Sequence, residues 1–87
     1  MPTIELSEPK KTEVSELLKE MNDSLFHKGV YGDYDENAVL FYLKGGTVSH
    51  AAEEATKNYT TQNGGESLDV DEWYVELEKE FRAILNL

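Results

Sequence analysis

From Thr12 to Gly29 the chain reads TEVSELLKEMNDSLFHKG, with Val14, Leu17, Leu18, Met21, Leu25 and Phe26 at i, i+3, i+4, i+7, i+11 and i+12. That spacing gathers the apolar side chains on one stripe of an α-helix and leaves the opposite side polar. Such a helix has to bury its stripe, so the rest of the chain must supply packing partners. The ends agree with the stripe. Thr12 offers an N-cap oxygen, Glu13 and Glu16 sit in the expected first turn, and His27 and Lys28 precede a stopping Gly29.

Residues 1 to 11, with Pro2 and Pro9, read as an N-terminal arm ahead of a single helical domain spanning 12 to 87. A chain of this length buries only about 60–65% of the surface it exposes when unfolded, so one small core is the limit. The apolar run AVLFYL, residues 38 to 43, is too short for periodicity to separate a strand from a buried helix. Asp35 as N-cap and Gly45 as stop favour a helix; the alternative is an α+β arrangement with a short hairpin around residues 38–49, turning at Lys44, Gly45 and Gly46. Thr47 then caps a third helix whose face of Val48, Ala51, Ala52, Ala55 and Tyr59 is small enough for close helix approach. After the polar TTQNGGES, a last helix is expected beyond Asp71, with Val70 and Val75 as a hydrophobic staple. Trp73, Leu77, Phe81, Ile84 and Leu85 form its buried stripe. The expected fold is all-α, a small three- or four-helix bundle.

Composition narrows the function. Eighteen acidic residues face eight basic ones, for a formal charge of -10. Binding to a nucleic-acid backbone relies on Lys and Arg displacing counterions, so direct nucleic-acid contact is disfavoured. With no cysteine, disulfides and thiolate metal sites are excluded. AVLFYL is the longest apolar run and falls far short of a bilayer span, and MPTIELSEPKK lacks the apolar region of a signal peptide. A cytoplasmic protein with no membrane partner is expected, and the glycosylation patterns NDS and NYT carry no weight without a secretory signal.

Signatures of chemistry are sparse. Asp33, Asp35 and Asn37 begin like a calcium loop, but its sixth and twelfth positions hold Ala38 and Lys44 where Gly and Glu are needed. His50 lies at helical spacing from Glu53 and Glu54 without a third ligand, and His27 suits a helix end. No nucleophile, base and acid fall into a known pattern, and KGGTV is a turn without the Gly-Lys-Ser/Thr of a phosphate loop. A non-enzymatic protein without cofactor or metal is expected.

Two stretches resemble known families. FYLKGGTVSHAAEEATKNYTTQ resembles helix-turn-helix DNA readers, which implies DNA binding, although Lys57 is the only Lys or Arg between Val48 and Glu78. ESLDVDEWYVELEKEF resembles the serine motif and second helix of acyl carrier proteins through Glu66, Ser67, Leu68, Asp69, Glu72, Leu77, Glu78, Glu80 and Phe81. That resemblance implies a phosphopantetheine arm on Ser67, with Glu72 and Glu78 facing basic partner enzymes. Read from the residues alone, Ser67 is a loop serine ahead of a helix.

The charge of this last stretch carries the main expectation. Glu72 with Glu76, and Glu76 with Glu80, are like-charge i,i+4 pairs that each cost a few tenths of a kcal/mol, so helix stability does not call for them. Glu66, Asp69, Asp71, Glu72, Tyr74, Glu76 and Glu80 are the candidate partner-binding residues, the tyrosine supplying contact area. The expected function is an acidic regulator or inhibitor docking on a basic protein surface, such as that of a nucleic-acid-binding enzyme, through partial mimicry of DNA charge.

Overall fold

In the computed structural model, which describes residues 6–61 and 68–87, the chain forms four helices and one minimal strand pair. Helix α1 (Glu8–His27) buries Val14, Leu18, Met21 and Leu25, the centre of the expected stripe. It starts well before Thr12. Ser7 occupies the N-cap position, and Pro9 sits in the first turn, where its missing N–H costs no helical hydrogen bond. The Lys11 amide donates to Ser7 O at 2.9 Å, and Leu6, only 7% exposed, is tucked into the core. The last residues of the expected arm are therefore the first turn of α1. At the other end, Gly29 takes a left-handed φ of 82° and its amide donates to Phe26 O, the stop expected there.

Phe26 departs from the stripe. It is 60% exposed and meets Tyr31 edge to face at 5.3 Å between ring centroids. Tyr31 belongs to β1 (Val30–Tyr31), which pairs antiparallel with β2 (Thr60–Thr61), Val30 opposite Thr61 and Tyr31 opposite Thr60.

The AVLFYL run is helical. It lies in α2 (Glu36–Lys44), which buries Val39 and Leu43, and the Asp35 carboxylate caps it by accepting the Ala38 amide at 3.2 Å. Gly45 ends the helix and Gly46 turns with φ 75°, leading through Thr47 into α3 (Val48–Thr56). The hairpin alternative over 38–49 is thereby replaced by two helices and a glycine turn. Val48, Ala51, Ala52 and Ala55 are buried on α3, which packs on both α2 and α4. Its small side chains let backbones approach closely there, and the buried Thr56 hydroxyl is satisfied by donating to Ala52 O at 2.9 Å.

Helix α4 (Leu68–Leu85) closes the bundle against α1 and α3 with Leu77, Phe81 and Leu85 in the core. It too starts earlier than expected, so Asp71 is inside the helix instead of capping it. Val75 is correspondingly exposed and staples nothing. No described helix is long and apolar enough to cross a membrane.

Among the described residues, one polar tie fastens the segment after α3 to α1. The Tyr59 hydroxyl donates to Asn22 Oδ1 at 2.6 Å, and burial, followed by Tyr34 and Asp33, pushes the phenol up to about 12. The folded chain thus holds this proton more tightly than the unfolded chain, whose tyrosines titrate near ~10. The resulting stability is complete below pH ~10 and is lost as pH rises toward ~12, by on the order of 2 kcal/mol. Urea midpoints measured across that interval should fall steeply for the native chain and less for Tyr59→Phe; equal falls would assign the loss to other groups.

Candidate protein-docking surface

Helices α1 and α4 run antiparallel, and side chains from both line two grooves along their seam. The larger, of about 430 Å³, has Glu13, Glu16 and Glu20 of α1 and Glu80 of α4 on its walls, over a floor of Leu17, Ala83 and Ile84. The smaller, of about 280 Å³, is lined by Ser24, Lys28, Glu72, Trp73 and Glu76. The cause is periodicity. Glu72, Glu76 and Glu80 recur every four residues on α4, and Glu13, Glu16 and Glu20 recur at three and four on α1, so each row stays beside its helix's buried stripe.

No described lysine or arginine neutralises the carboxylates of the larger groove. Among the described residues, ion pairs join Glu8 to Lys11, Glu54 to Lys57 and Glu78 to Arg82, and no lysine or arginine pairs with Glu13, Glu16, Glu20 or Glu80. Trp73 is half-buried against the core, so one part of its ring system is fixed while another faces the smaller groove.

Of the residues singled out from sequence, the seam brings together Glu72, Glu76 and Glu80. Asp71 is exposed on α4 but lines neither groove. Tyr74 turns away from the seam: it is half-buried, and its phenol is pushed up by desolvation, then by Glu78 and by Glu53 of α3. Asp69 lies in the first turn of α4, its side chain outside the described set, and Glu66 and Ser67 lie outside the described residues altogether. The proposed contact made by Glu66 and the modification of Ser67 therefore have no geometry here.

Glu13, Glu16 and Glu20 were missed as site residues. With α1 expected to begin after Thr12, Glu13 and Glu16 were explained by the helix dipole. In the longer α1 they stand beyond the first turn, where that explanation lapses. Their spacing next to Leu17 was the available signal, but the pairing of α1 with α4 is tertiary.

Nothing else among the described residues assembles chemistry. No group of three or more His, Asp or Glu is placed to hold a metal. His50 stacks on Tyr42 at 5.4 Å between centroids, and His27 meets Phe26 edge to face at 6.2 Å. The exposed side of α3 presents Ser49, His50, Glu53 and Lys57, the lysine held by Glu54 at 3.1 Å. No protein-family model, curated protein or solved structure matches this chain.

Proposed function

We propose that the protein is a non-enzymatic binding module that docks its α1/α4 seam on a basic surface of another protein, of the kind that holds a nucleic-acid backbone. The observation that carries this reading is the groove walled by four glutamates with no basic partner among the described residues. From Glu13 to Glu20 is about 10 Å along a helix axis, so with Glu80 opposite the groove offers one negative charge per ~3 Å. Duplex DNA offers one per ~1.7 Å, a field of the same order. A surface adapted to phosphates would be attracted to both.

Magnitudes assign separate roles to charge and apolar area. Exposed ion pairs contribute about 0.2–1 kcal/mol each, so the four glutamates supply at most about 4 kcal/mol. Micromolar affinity needs about 8 kcal/mol. The remainder falls to Leu17, Ile84 and Trp73, which can cover the aliphatic stems of a partner's lysines and arginines. Charge then governs encounter and orientation, and burial governs residence.

The test is capture from the native host at low salt with the native chain and with Glu16→Lys/Glu20→Lys/Glu80→Lys, followed by mass spectrometry. The native chain should retain a basic protein that added duplex DNA displaces. The triple variant, still helical by circular dichroism, should associate with that protein at least about tenfold more slowly. Equal association rates for the two chains would sink the seam as the docking site.

A further inference from the structure

Among the described residues, the smaller seam groove has what the larger lacks, an aromatic ring. Ser24 and Lys28 line it from the α1 side, and Glu72, Trp73 and Glu76 from α4, around about 280 Å³. Trp73 packs partly against the core, while Glu72 and Glu76 are both exposed. We infer that this groove is an arginine subsite: it takes the guanidinium of one arginine side chain of the docking partner, stacked on the Trp73 indole and held at its edge by Glu72 and Glu76. The inference rests on the seam being the docking surface, and it adds which kind of cation that surface selects.

Spacing supplies the geometry. Glu72 and Glu76 stand about one helical turn apart, about 6 Å along the axis, and Trp73 lies between them on the same groove. A guanidinium is flat and carries its donors in its own plane, so it can lie on a ring face and still donate outward to carboxylates beside the ring. An ammonium cannot divide its contacts in this way. Its charge is compact and more strongly hydrated, and it gains less by exchanging water for an aromatic face. Carboxylates attract both cations; the indole distinguishes them.

Charge limits the occupancy. Two glutamates against one lysine leave the described lining at a formal charge of -1, so one entering cation neutralises it and a second would be repelled. An apolar side chain would cover the carboxylates without pairing them, and an acidic one would oppose them. The larger groove, walled by four glutamates, attracts lysine and arginine alike. Selectivity thus belongs to the Trp73 end of the seam and gross attraction to the Glu80 end.

Two peptides of equal charge, tetra-arginine and tetralysine, test this on the full chain, because Trp73 is the only tryptophan and its fluorescence reports on the groove itself. Tetra-arginine should change the emission saturably, reaching half-saturation at a concentration at least about fivefold below that of tetralysine. Trp73→Leu, checked for native helicity and followed by calorimetry, should bind the two peptides within about twofold of each other. Glu72→Gln/Glu76→Gln, at exposed positions, keeps the fluorophore and should raise the half-saturating concentration of tetra-arginine at least about threefold. Equal half-saturation by the two peptides on the native chain, an emission that tetra-arginine leaves unchanged, a preference that survives Trp73→Leu, or undiminished binding by the glutamine variant would each overturn the subsite. None of these decides the docking reading, which stands or falls on how fast the seam triple variant associates with the captured protein.

Discussion

Phe81→Ala should lose about 3–5 kcal/mol of folding stability, the largest single-residue effect expected in this protein. Phe81 heads the fully buried side chains by volume and sits on α4 in the core cluster with Leu18, Met21, Leu25 and Leu77. Because α4 packs on α1 and on α3, collapse into the vacated space would have to move two helix interfaces together. The cavity therefore persists and adds to the lost transfer energy. Domains of this size have about 5–15 kcal/mol in total, so the variant should be marginal near 37 °C. Its melting temperature should fall by more than about 12 °C. Phe81→Leu keeps most of the volume and should cost about 1–1.5 kcal/mol. Urea unfolding of the pair provides the check: indistinguishable midpoints for the two variants would mean that the site relaxes and that the core is less constrained than its packing implies.

Gly32→Ala should cost about 3 kcal/mol, at the upper end for an overpacked site. A Cβ built on Gly32 would lie 2.5 Å from the Asn58 carbonyl oxygen and 2.7 Å from the Tyr59 Cα. Both are backbone atoms, so no rotamer change relieves the clash; the stretch after β1 and the stretch after α3 must separate. That separation loosens the β1/β2 pair and the Tyr59 to Asn22 hydrogen bond. Gly45→Ala is the control, since its nearest contact is an ordinary 3.5 Å to the Thr47 side-chain oxygen and its φ is −83°. Denaturant midpoints should separate the two substitutions clearly, and a Gly32 variant as stable as the Gly45 control would contradict the close approach.

The all-α class was legible because its signals were local. The spacing of Val14, Leu18, Met21 and Leu25 specified a helix, and Asp35 and Gly45 decided AVLFYL correctly, since a cap and a stop constrain the backbone where an apolar run is neutral. Both misplaced starts came from giving caps too much authority. Thr12 and Asp71 are good N-caps by residue type, but Leu6 in the core extends α1 backward and α4 begins before Val70. The two-residue strands leave no periodicity to read. The candidate seam was half legible: the spacing of Glu72, Glu76 and Glu80 is local to α4, whereas Glu13, Glu16 and Glu20 join them only because α1 lies beside α4. The side of α4 on which Tyr74 lies depends on α3, whose Glu53 it approaches, and only the fold reveals that it faces away from the seam.

The larger seam groove draws its walls from residues 13 to 20 and from residue 80, so it does not exist in the unfolded chain. Folding brings Glu80 beside Glu13, Glu16 and Glu20, which already neighbour one another along α1. Under the proposed docking, a basic partner settling there would recognise only the native state, so occupancy and folding would be thermodynamically linked. For so small a core, loading the seam would raise the stability of the whole molecule.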